Sequence, residues 1–114
     1  IYNIVLEAQL KSLEGAHKGL KGRDIDYIAR KIITDAGYGE NFGHSLGHGV
    51  GLEIHEEPRF SPGSNQVMEN GMAVTVEPGI YVTGLGGVRI EDLIIINDQK
   101  PVVLTKSPKE LIVL

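Results

Sequence analysis

Gly47-His48-Gly49-Val50-Gly51-Leu52-Glu53-Ile54-His55-Glu56-Glu57-Pro58 sets glycines around two histidines. Glycine leaves room for another group to approach the backbone closely. Two acidic segments follow, Val74-Thr75-Val76-Glu77-Pro78-Gly79 and Gly87-Val88-Arg89-Ile90-Glu91-Asp92. Each of the three reads as a short strand that delivers one His or Glu, the arrangement expected of an ion-binding sheet. His48 and His55 are seven apart, which puts them on opposite faces of a regular strand. Either they serve different sides, or a bulge near Gly51 turns both inward. His44-Ser45-Leu46-Gly47-His48 also places two histidines four apart, the helical spacing of a zinc protease. That reading lacks its general-base Glu, and glycines at 43, 47, 49 and 51 oppose a helix.

Outward from this stretch the pattern is helices first, strands after. A first helix is predicted from 1 to 18, with Tyr2, Val5, Leu6, Leu13 and Ala16 on one face. The second is capped by Asp24, carries Ile25, Ile28, Ala29, Ile32, Ile33 and Ala36 as one stripe, and ends at Gly37. A glycine-rich loop runs from Tyr38 to Gly47. Strands are predicted near 48–54, 72–77, 79–83, 88–97 and 101–105, with turns at 61–65 and 69–71. No helical pattern separates the strands, so the sheet is expected to be mainly antiparallel and the fold class α+β.

The 114 residues make one domain the default, and 41% hydrophobic with 23% charged residues is the balance of a globular chain. A net charge of −4 argues against a general nucleic-acid binder. The chain has no cysteine, which removes thiolate metal sites and a cysteine nucleophile and fits a reducing cytoplasm. No apolar run approaches the ~20 residues of a membrane span. Ile1-Tyr2-Asn3-Ile4-Val5-Leu6 is already helical in pattern with no capping residue before it, so a helix entering from a larger protein is expected.

Glu77 lies between Val76 and Pro78 in an apolar setting, where an unpaired carboxylate is costly and a metal or a basic partner is the usual remedy. Arg89 and Glu91 share a strand face at i, i+2 and can pair with each other. His48, Glu77 and Glu91 together form an N/O donor set of the kind that suits Mn²⁺, Fe²⁺, Co²⁺ or Zn²⁺.

These residues carry a resemblance that covers essentially the whole chain. The segment from His44 through His55-Glu56, together with Val76-Glu77-Pro78-Gly79-Ile80-Tyr81 and Gly87-Val88-Arg89-Ile90-Glu91-Asp92, resembles the C-terminal half of the catalytic domain of Xaa-Pro peptidases. These are the prolidases and aminopeptidases P of the pita-bread metallopeptidases. The resemblance implies an enzyme that hydrolyses Xaa-Pro bonds in proline-containing peptides or dipeptides with two divalent ions, Mn, Co or Zn. It implies His48, Glu77 and Glu91 as metal ligands, with Glu91 bridging and Glu77 also moving a proton. His44 and His55 would line the substrate side, His55 aiding the tetrahedral intermediate, and Arg89 would orient the carboxylates. Methionine aminopeptidase, creatinase and non-catalytic binding relatives of the fold are the alternatives.

The family's two aspartate ligands precede these motifs. Asp24, Asp26 and Asp35 lie in the second helix region and match none of them. Residues 1–114 are therefore expected to be one part of a catalytic domain, inactive alone and binding metal weakly or not at all. Such a half is expected to leave a sheet edge and the apolar residues Val74, Val76, Ile94, Ile95 and Ile96 uncovered, and to form a homodimer. No nucleic acid or membrane partner is expected.

Overall fold

The computed structural model describes residues 1–50 and 56–113, Glu56 by its backbone alone. Helix α1 spans Tyr2–Gly15 and α2 spans Gly22–Asp35. After a 3₁₀ turn at Gly39–Asn41 come β1 (Gly47–Gly49), β2 (Glu56–Phe60), β3 (Ala73–Val76), β4 (Gly79–Val82), β5 (Gly86–Arg89), β6 (Asp92–Ile95) and β7 (Val102–Val103). Strands β2-β1-β3-β6-β7 form one sheet in that order, and β4-β5 form a separate hairpin. Every pairing between these strands is antiparallel, as the short connections imply.

Helix α2 follows its apolar period. Ile25, Ala29 and Ile33 are fully buried, and each isoleucine contributes about 1.5–3 kcal/mol by leaving water. The expected Asp24 cap is absent. The helix starts after Lys21 with no side-chain cap. Its first donors instead reach the backbone of the 64–66 loop, Gly22 N–H to Gln66 at 2.9 Å and Arg23 N–H to Ser64 at 2.9 Å. Gly37 closes the helix at φ +91°, in the left-handed region that glycine tolerates.

Helix α1 departs further from expectation. It stops at Gly15 rather than 18, where a Cβ would collide with Ile28 of α2. Its buried face is Val5, Ala8, Gln9 and Ser12. Leu6 and Leu13 sit half-buried at its margins. Small residues let the two helices approach, and the buried polar ones are bonded: Ser12 Oγ donates to Ala8 O at 2.8 Å, and Gln9 Nε2 to Asp92 Oδ2 at 2.6 Å.

Strand β2 has no counterpart among the predicted strands, because Glu57 and Pro58 hide it. As an edge strand it tolerates proline. The β1–β2 register shifts between His48, opposite Arg59, and Gly49, opposite Glu56. The single strand predicted over 88–97 is two, β5 in the hairpin and β6 in the main sheet, broken at Ile90-Glu91. The apolar face expected to lie open is covered by the chain itself. Val74, Val76, Ile94 and Ile96 are buried in one core with Val5, Ile25, Ile33, Leu46 and Phe60. No described helix is long and apolar enough to cross a membrane.

Asp92 ties three segments together. Burial alone would raise its carboxyl, but Lys109, Thr105 and Gln9 donate to it and hold it below the usual carboxylate range. Lys109 Nζ is 2.6 Å away, and the Tyr2 hydroxyl donates to the Lys109 carbonyl. A carboxyl held low in the folded state stabilises the fold above its unfolded pKa, and that contribution fades as pH falls through the folded value. Lys109→Met is therefore expected to move the acid-unfolding midpoint to higher pH and to cost about 1.5–3 kcal/mol at neutral pH by denaturant titration. Lys11→Met, which breaks only the exposed pair with Glu14, should change little. Gly47→Ala would drive a Cβ into the Thr75 carbonyl and is expected to cost about 2–3 kcal/mol in the same titration, whereas Gly43→Ala meets no atom within 4 Å and should be near neutral.

Candidate functional site

His48 is placed by its neighbours in the sheet. Gly47 lies flat against Thr75, and the His48 N–H donates to Thr75 Oγ1 at 3.0 Å. The ring's Nδ1 lies 2.9 Å from the Gly49 carbonyl, so the neutral tautomer carries its proton there and turns the unprotonated Nε2 toward Glu77, 3.9 Å from Oε1. Glu77 sits just past the end of β3, and its own N–H donates to Leu46 O at 2.7 Å. Glu91 lies in the break between β5 and β6 rather than on a strand with Arg89. The Arg89–Glu91 pair nevertheless forms, Nε to Oε2 at 3.8 Å, in an exposed position where it is worth little stability.

The Glu77 carboxyl is pushed up to about 7, first by burial, then by its hydrogen bond to Glu91 and that group's charge, against the opposing pull of His48 and Arg89. Among the described residues no three His, Asp or Glu groups close into a full metal-binding geometry. What exists is a row, His48–Glu77–Glu91, in which burial and the neighbouring Glu91 push the Glu77 carboxyl up. A divalent cation relieves the same repulsion, and one imidazole with two carboxylates is a donor set suited to borderline and hard ions. The residues thus fit one side of a metal centre.

His44, Ser45, Gly47, His48, Arg59 and Glu77 line a cavity of about 380 Å³. His44 is fixed at both nitrogens: Nδ1 donates to Ser45 O at 2.8 Å, and Nε2 accepts from the Tyr81 hydroxyl at 2.8 Å. Arg89 lies beside Tyr81, which pushes its guanidinium further up. A line of neighbouring polar groups therefore runs from Glu91 through Arg89 and Tyr81 to His44. His55, the other residue assigned to the substrate side, lies outside the described residues, as does the bulge expected at Gly51.

The sequence reading gave Tyr81 no role, yet glycines mark its place. A Cβ at Gly79 would come within 2.6 Å of its hydroxyl, and one at Gly87, opposite it in the hairpin, within 2.5 Å of its ring. Thr75 and Arg59 were likewise missed. Arg59 is marked only once its register opposite His48 in β1 is known, and Thr75, on β3, only once its hydroxyl is seen to accept the His48 N–H.

The family model for metallopeptidase family M24 matches residues 1–98. A Xaa-Pro dipeptidase of Pyrococcus horikoshii is 55% identical over 112 residues, covering 98% of this chain and 32% of that protein. The structure of a Xaa-Pro dipeptidase from Bacillus anthracis superposes with a TM-score of 0.98 at 62% identity, covering 100% of this chain and 32% of the other. That of an X-Pro aminopeptidase from Thermotoga maritima gives 0.92 at 44% identity, over 96% and 31%. The chain spans about a third of the length of the relatives it matches. With its helices and antiparallel sheet forming part of the pita-bread fold, this chain belongs to metallopeptidase family M24.

Proposed function

We propose that the whole protein is a metal-dependent exopeptidase that cleaves the Xaa-Pro bond at the N-terminus of peptides or in dipeptides. Residues 1–114 supply one side of its single catalytic domain. The observation that carries the reading is the His48–Glu77–Glu91 row, in which the Glu77 carboxyl lies 3.9 Å from the His48 imidazole and is pushed up by burial and by Glu91. The relatives named as Xaa-Pro peptidases support the choice of substrate.

In this reading His48, Glu77 and Glu91 hold divalent ions, two in the whole protein, completed by the aspartates that the resemblance assigns to the sequence preceding these motifs. Mn, Co and Zn all suit the donors. When bound, the metal supplies Lewis acidity toward water and the peptide carbonyl. Glu77 holds a proton near neutrality and can take one up or release it at Oε1 or Oε2. Arg89 orients the Glu91 carboxylate. His44, held by Tyr81, presents its imidazole to the cavity and positions the peptide. His55 donates to the oxygen that becomes negative during attack. A cytoplasmic setting belongs to the same reading.

Glu91→Ala in the whole protein is expected to abolish bound metal and Xaa-Pro turnover together. His55→Ala is expected to keep the metal and lower kcat about 10²–10³-fold. Metal analysis beside a Xaa-Pro hydrolysis assay checks both, and metal loss in His55→Ala would reverse the assignment of ligand and substrate roles. The protonated Glu77 must ionise to become a ligand, so metal affinity should rise with pH through about 7 and level off above it. Calorimetry across that range measures the slope. The same titration on residues 1–114 alone should find weak binding or none.

A further inference from the structure

The loop that carries His44 has no regular hydrogen bonding of its own between the 3₁₀ turn and β1. What fixes it is α2. The Asp26 side chain is 1% exposed and its carboxylate takes Arg30 bidentately, Nε to Oδ2 at 2.7 Å and Nη2 to Oδ1 at 3.0 Å. The same guanidinium donates to Phe42 O at 3.1 Å and His44 O at 3.0 Å, and stacks 4.2 Å from the centre of the Phe42 ring. Asp26 Oδ1 also accepts the Leu46 N–H at 3.0 Å. Three alternate residues of the loop, 42, 44 and 46, are thus pinned through their backbones by one ion pair.

The pinned groups lead straight into the site. The Phe42 ring meets the His44 ring edge-on at 5.2 Å. The carbonyl of Leu46, the residue whose N–H Asp26 holds, accepts the Glu77 N–H at 2.7 Å. A buried ion pair is a weak source of stability, because desolvation offsets its attraction. Its service here is geometric.

We propose that Asp26 and Arg30 are positioning residues of the site: their ion pair sets the 42–46 loop so that His44 faces the cavity. This rests on the peptidase reading given above for His44. The planar fork is required, since one guanidinium serves Asp26 and two carbonyls at once while capping a ring. An ammonium has the charge without that geometry.

The test uses the whole protein with Arg30→Lys, Arg30→Met and the milder Asp26→Asn. All three are expected to retain full metal content and to raise KM, with kcat/KM falling about tenfold to a hundredfold. Lysine should rescue no better than methionine. In a His44→Ala background, Arg30→Lys should cost less than twofold more, because both changes remove one interaction. Histidine ring resonances in selectively labelled protein give a second readout: the His44 signal should move in Arg30→Lys while the His48 signal stays. Rescue by lysine, additivity with His44→Ala, or an unmoved His44 resonance in a folded variant would overturn the proposal. A wild-type protein without Xaa-Pro turnover would refute the peptidase reading instead, and the resonance measurement would still decide the role of the ion pair.

Discussion

The absence of a side chain at position 47 governs the geometry of this molecule. Gly47 lies so close to the Thr75 carbonyl that no Cβ fits between them. This contact brings β1 against β3, and the sheet then sets the Thr75 hydroxyl under the His48 amide and Glu77 within 3.9 Å of the His48 ring. The main-chain approach is steric and all-or-none, whereas the ion pairs around it are partly solvated and individually weak. Backbone proximity therefore precedes the chemistry: the histidine and the carboxylate meet because two strands are allowed to touch.

The pair formed by Glu77 and Glu91 shows how such a site stores its reactivity. Each residue occupies a chain position that is not inside a strand, Glu77 after β3 and Glu91 between β5 and β6. The strands around them are fixed by buried Val74, Val76, Ile80 and Ile94. The two carboxyls are thus held close by packing elsewhere, and burial with the charge of Glu91 raises the Glu77 carboxyl. Packing energy in the core sustains an arrangement that the carboxylates alone would not adopt.

Much of this was legible in the residues, and the limits have physical causes. The stripe from Ile25 to Ile33 announced α2, and short strands without helices between them announced an antiparallel α+β sheet. The residue types of His44, His48, Glu77, Arg89 and Glu91 pointed to one site, and the structure sets His48 3.9 Å from Glu77 and Arg89 3.8 Å from Glu91. Strand β2 was hidden because Glu57 and Pro58 interrupt its pattern, and only the pairing with β1 makes it a strand. The face of α1 was read only in part: Val5 and Ala16 are buried as expected, but the packing favours Ala8 and Ser12 over Leu6 and Leu13, and the polar Gln9 is buried through a partner 83 residues away. Asp26 and Arg30 left no readable trace for a similar reason. Their partners are main-chain groups of a loop, and backbone acceptors have no signature in composition.

The network around Asp92 has a mechanical consequence. Tyr2 in the first turn of α1, Gln9 about two turns on, and Thr105 and Lys109 beyond β7 all converge on the residue beside Glu91 or on its partner. Loosening of the first turns of α1 or of the 105–109 segment is thereby transmitted to the neighbour of a candidate ligand. A force applied to the 105–109 segment acts on the residue beside Glu91 through a few hydrogen bonds, and the loosening of that segment and the loss of order at the site become a single event.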